Sequence, residues 1–98
     1  MKTDSIRKMN PTIHSDGTKA WYLNYKLHRE DGPAIEYPNG SKEWWLNGHC
    51  HREDGPAVEY ASGTKEWWLN NEFLTEGERP ENWKELILLT QIEKIMNE

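Results

Sequence analysis

Residues 28–50 read "HREDGPAIEYPNGSKEWWLNGHC" and residues 51–73 read "HREDGPAVEYASGTKEWWLNNEF"; 16 of these 23 aligned pairs are identical. A fixed period of this length marks one supersecondary unit written twice. Partial copies flank the two full ones. "DGTKAWYLN" at 16–24 matches the tail of each unit, and the likeness fades after Asn70 into "NEFLTEGERP". The expected organisation is a flexible N-terminal stretch over 1–10, a repeat region over 11–76 with full units 28–50 and 51–73, and a C-terminal helix within 77–98.

Inside each unit the signals are those of short antiparallel strands. Ile35, Glu36 and Tyr37 alternate apolar and polar, Gly40 and Gly63 supply turns, and "SKEWWLN" provides a returning strand. Asn47-Gly48 is a strong two-residue hairpin signal, echoed by Asn24-Tyr25 and Asn70-Asn71. The fold class that follows is mainly β, a single-layer antiparallel meander of hairpin repeats. After Pro80, "ENWKELILLTQIEKIMNE" has no further Pro or Gly and predicts a helix that caps the open end of the strands. Leu88, Leu89, Ile92, Ile95 and Met96 share one side of that helix, and Trp83, Leu86 and Ile87 spread toward the other.

Composition narrows the function classes. Apolar residues make up 35% of the chain, so a core must lean on its six Trp and four Tyr. The net charge of −5, with Lys and Arg scattered, argues against nucleic acid and anionic lipid as partners. Cys50 is the only cysteine, which excludes an intrachain disulfide and fits a reducing, cytoplasmic setting. "MKTDSIRKMN" has no apolar core of the signal-peptide kind, and no apolar run is long enough to span a bilayer.

The 23-residue period, the "NGHCHREDGPA" corner and the Gly40/Gly63 turns resemble MORN-type repeats. Gly48 and His51 match the Gly and His of that pattern; Arg29 and Arg52 stand where a Gly normally follows the His, as in the divergent variety met in bacterial and tailed-phage reading frames. The resemblance covers 11 to about 76. It implies stacked hairpins and a scaffold that binds proteins or lipids, and it leaves the C-terminal helix outside.

Two features compete as the site. The "HRED" heads suggest a metal pair at His28 and His51, or an acid–base set. Equivalent positions in consecutive hairpins lie two strand spacings apart, roughly 10 Å, too far to share one ion. A catalytic centre is a single constellation, whereas this one is repeated, so the head is expected to be a corner. Asp31 and Asp54 should cap its turn, Arg29 and Arg52 should pair with nearby Glu, and each His should donate to a backbone carbonyl. The Trp pairs are the second feature. Neighbours on a strand point to opposite faces, which puts Trp21, Trp44 and Trp67 on one side with Leu23, Leu46 and Leu69, and Tyr22, Trp45 and Trp68 on the other.

The reading that results is a small non-catalytic module with no cofactor and no metal, binding another protein through Tyr22, Trp45, Trp68, Arg29, Arg52, Trp83 and Ile87. The phage-type resemblance implies an inhibitor of a host enzyme or defence complex in the host cytoplasm. A homodimer through the C-terminal helix is a further expectation. The alternatives are a nucleotide-sequestering protein that uses Trp and Arg, and an acidic DNA mimic.

Overall fold

A computed structural model describes residues 9–96, so most of the stretch 1–10 expected to be flexible lies outside the described residues. The chain is mainly β with one C-terminal helix. Seven strands form a meander: β1 (Thr12–Ile13), β2 (Lys19–Ala20), β5 (Ile35–Glu36), β6 (Lys42–Glu43), β9 (Val58–Glu59), β10 (Lys65–Leu69) and β11 (Glu72–Glu76), in that spatial order. Two further hairpins, β3 (Tyr22–Leu23) with β4 (Lys26–Leu27) and β7 (Trp45–Leu46) with β8 (His49–Cys50), form separate two-stranded ribbons. The helix α1 spans Trp83–Met96.

The turns repeat as the strands do. Gly17, Gly40 and Gly63 have φ of 95°, 96° and 98°, a region open to Gly at no steric cost. Each is approached by a short polar side chain: Asp16, Asn39 and Ser62 accept from the amides of Thr18, Ser41 and Thr64 at 2.9, 2.8 and 3.4 Å. The hairpin corners Asn24-Tyr25, Asn47-Gly48 and Asn70-Asn71 all carry two successive positive φ angles, the geometry that matches strand twist.

The shared "KEWWL" segment is one continuous strand only in the second full unit, where β10 runs Lys65–Leu69 with a bulge between Trp67 and Trp68. In the earlier units the chain leaves the meander at its first tryptophan. The Trp44 amide donates to Ala57 O at 2.7 Å, and the Trp44 carbonyl accepts from the His51 amide at 3.1 Å. Trp21 does the same with Ala34 and His28. These bonds replace strand pairing and let β3–β4 and β7–β8 turn away. Successive hairpins are then stitched together, Arg29 N–H to Trp45 O and Arg52 N–H to Trp68 O. Ala34 and Ala57 sit at this junction with no exposed surface, which is why a small residue follows each Gly-Pro.

The core divides in two. Cys50, Ala57 and Val58 form one cluster, with Trp45 and Trp68 against it. Trp67, Leu69 and Trp83 form the other, with Leu74, Leu86 and Ile87 against it. The helix starts later than Pro80: the Trp83 amide bonds to Pro80 O, and Asn82 O accepts the first helical bond, from Leu86. Among the described residues no helix is long and apolar enough to cross a membrane.

Candidate functional site

The charged head is a closed corner. The Arg52 guanidinium lies 3.8 Å above the Trp44 ring, and Arg29 lies 3.9 Å above Trp21. Each guanidinium reaches three oxygen partners. Arg52 Nε donates to Asp54 at 3.1 Å, and Nη1 donates to Pro56 O at 3.0 Å and to Glu59 at 3.2 Å. Arg29 repeats this with Asp31, Pro33 O and Glu36. A Cβ built on Gly55 would stand 2.7 Å from Arg52 Cζ, and one on Gly32 would stand 2.9 Å from Arg29 Cζ. The order Arg-x-Asp-Gly-Pro-Ala thus encodes a cation stacked between an indole and a glycine, with an acid and a carbonyl at its edge.

The histidines hold the neighbouring hairpin. His28 Nδ1 accepts from the Asn47 amide at 2.9 Å and His51 Nδ1 accepts from the Asn70 amide at 2.8 Å. Expected as donors to carbonyls, they act instead as acceptors from amides, because the positive-φ corner leaves the Asn amide without a ladder partner. The ring proton therefore sits on Nε2, which faces Glu30 at 3.3 Å or Glu53 at 3.0 Å. Asp31 and Asp54 serve the arginines rather than capping the turn alone. Among the described residues no three His, Cys, Asp or Glu side chains are grouped to hold a metal ion.

The two tryptophan rows have opposite chemistry. On one face the cross-strand register aligns Lys19, Glu36, Lys42, Glu59 and Lys65, a row of alternating charge, beside Trp21 and Trp44 under their cations. Trp67 meets no guanidinium, since Thr75 stands one period beyond Arg52. The Trp83 ring takes that role, edge-on at 5.0 Å and 76°, with its Nε1–H donating to Glu53 O at 2.7 Å.

On the other face each second tryptophan is tied to an anion. Glu43 accepts from Trp45 Nε1 at 2.8 Å and from the Tyr37 hydroxyl at 2.9 Å. Glu66 accepts from Trp68 Nε1 at 2.9 Å and from the Tyr60 hydroxyl at 3.0 Å. Burial, then the Glu43 hydrogen bond, pushes the Tyr37 hydroxyl up to about 12, and the Glu66 bond raises Tyr60. Cys50 lies between these acids; burial first, with Glu43 and Glu66 adding to it, pushes its thiol up to about 12. Phe73 extends the row edge-on to Trp68 at 5.5 Å.

Of the residues expected to bind a partner, Tyr22 is exposed, and Trp45 and Trp68 are half-buried with one side on the core. Arg29 and Arg52, with side chains 22% exposed, are committed to the corners, which leaves no free cation there for a phosphate. Trp83 is 4% exposed and Ile87 packs beside it, so this side of α1 faces the sheet and the expectation that it meets a partner is replaced by a capping role. Tyr60 and Phe73, both exposed, belong to the aromatic face and were not singled out by sequence reasoning. The recurrence of Tyr, then Glu six residues on, then Trp two further, at 37–45 and 60–68, was the signal for that face.

No family model matches the chain, and no curated protein or solved structure does so either.

Proposed function

We propose that this protein is a small non-catalytic module that binds another protein through the aromatic face running from Tyr22 past Trp45 and Trp68 to Tyr60 and Phe73. The observation that carries the reading is the contrast between the two tryptophan rows. One row is closed off by Arg29, Arg52 and Trp83, while the other ends in aromatic groups 42–49% exposed at Tyr22, Tyr60 and Phe73. Trp45, Trp68 and Tyr60 are held by hydrogen bonds to Glu43 and Glu66, and rings so fixed lose little entropy on docking, which suits a hot spot. Glu43 and Glu66 lie among these rings and favour a partner surface carrying Lys or Arg. The nucleotide reading has less support, because each corner arginine already faces two carboxylates.

A concrete form of the proposal, carried by the phage-type resemblance, is an inhibitor that occupies a host enzyme or defence complex in the cytoplasm. The test is affinity capture from host lysate with the wild-type chain beside a Tyr22→Ser, Tyr60→Ser, Phe73→Ser variant. The same stoichiometric partner should be retained by the first and lost by the second, at unchanged circular dichroism. Equal capture by both would remove the aromatic face from the interaction.

A further inference from the structure

We propose that α1 pairs antiparallel with α1 of a second copy of this chain, about a two-fold axis at Ile92. This goes beyond the protein-binding reading and stands whether or not the aromatic face has a partner. Trp83, Leu86 and Ile87 are turned to the sheet, while Leu88, Leu89, Ile92, Ile95 and Met96 are between 48% and 77% exposed.

The open stripe is symmetric about its centre. Relative to Ile92, the others stand four and three residues before it and three and four after it. Reversing a second helix across this axis sets Leu88 and Leu89 of one copy against Ile95 and Met96 of the other, with Ile92 facing its own image. From Leu88 to Met96 the stripe contains no charged residue, Glu85 standing on the same face one turn earlier at its edge, and this two-fold arrangement is the isologous contact that most homodimers use.

Area favours the same occupant. If a free Leu, Ile or Met residue offers roughly 200 Å² in all, the five exposures amount to at most about 600 Å² per copy. Two copies could cover at most about 1,200 Å², which only reaches the lower end of what stable, specific interfaces bury. A reversible dimer of micromolar strength is the expected consequence.

Sedimentation equilibrium across micromolar to submillimolar concentrations should show a species of twice 11.6 kDa that dissociates on dilution. Ile92→Glu and Ile92→Lys should each weaken dimerisation on the order of 30-fold or more while circular dichroism is retained, since the capping side is untouched. Mixing the two variants should restore a mixed dimer, because the axis brings the opposite charges together. A chain that stays at 11.6 kDa at the highest concentration overturns the proposal. So does a wild-type dimer that survives both substitutions, or a pair of variants that fails to recombine.

Discussion

Gly55→Ala tests the stacked corner at its tightest point. Gly55 has no positive φ, so an alanine there avoids left-handed strain, and with the extended backbone that Pro56 requires of its predecessor, fewer unfolded states would by themselves add about 0.4–1 kcal/mol of stability. The added Cβ would nevertheless stand 2.7 Å from Arg52 Cζ, about 1 Å inside ordinary contact. The guanidinium cannot retreat toward the ring, which is already 3.8 Å away. It must slide sideways, and sliding breaks the bond to Pro56 O and weakens those to Asp54 and Glu59. A charge-assisted bond to a carbonyl is worth about 1.5–3 kcal/mol, the exposed ion pair to Asp54 at most about 1, and the cation–π contact about 0.5–2. Partial loss of the set should cost about 2 kcal/mol net. Urea unfolding followed by Trp fluorescence, run as a double-mutant cycle with Arg52→Ala, separates the causes. In the Arg52→Ala background the same Gly55→Ala change should become neutral or mildly stabilising. An equal cost in both backgrounds would refute the stacking argument and place the penalty in the backbone.

Tyr25 has φ of 67° and is fully exposed, so Tyr25→Gly should raise stability by about 1 kcal/mol; a fall would show that its side chain makes stabilising contacts in the folded state. Trp83→Ala should cost about 3–5 kcal/mol, because it empties the contact with Trp67 and frees Glu53 O, with loss of the helical signal; helix retention at unchanged stability would exclude the capping role. High pH should destabilise the protein. Both the Cys50 thiol, ordinarily near 9.0, and the Tyr37 hydroxyl, ordinarily near 10.0, stand at about 12 when folded, so the unfolded chain releases these protons first. Their contribution is intact below pH 9.0 and is lost as pH climbs through about 12. Stability that holds level across that range would contradict it. Cys50, buried, should also resist thiol reagents until the chain unfolds, and stoichiometric labelling of the native protein would disagree.

The meander was legible because its signals are local. Gly at 17, 40 and 63 and Asn at 24, 47 and 70 set the turns, and those residues take the needed φ wherever they are placed. The split of the helix was legible too, since a 3.6-residue period assigns Leu88 and Ile92 to one side and Trp83 and Ile87 to the other. Which side met the sheet was not, because that depends on the Trp83 ring taking the place against Trp67 that a guanidinium takes in the earlier units, a fact of tertiary packing. The break at Trp21 and Trp44 was hidden for a similar reason. "KAWYLN" and "KEWWLN" read as strands throughout, and only the carbonyls of Ala34 and Ala57, which accept from the tryptophan amides, and the amides of His28 and His51, which donate to the tryptophan carbonyls, draw the chain aside. The corner was recognised from its repetition, but its internal order was not, since the stack joins an arginine and a glycine of one turn to a tryptophan ring from the strand break before it.

The end units show where the repeat serves something other than itself. Ala20 stands one period before Glu43, so Tyr22 lacks the carboxylate that holds Trp45 and Trp68. Tyr25 stands where Gly48 gives an easy corner. Burial along the leucine row falls in step: Leu69 is 2% exposed under α1, Leu46 is half-buried, and Leu23 is 42% exposed. A unit whose task was only to finish the stack would place polar groups on such an end, as capping repeats do. This one instead sets Tyr22, Leu23 and Tyr25 outward, and holds Tyr25 in a strained conformation with no packing in return. Strain that nothing in the fold repays is the mark of a residue kept for an outside contact. On the protein-binding reading, the β3–β4 hairpin is therefore where the partner should grip hardest. If so, Tyr25→Gly should gain stability and lose affinity in the same molecule, a pair of opposite effects that no purely structural role for Tyr25 can produce.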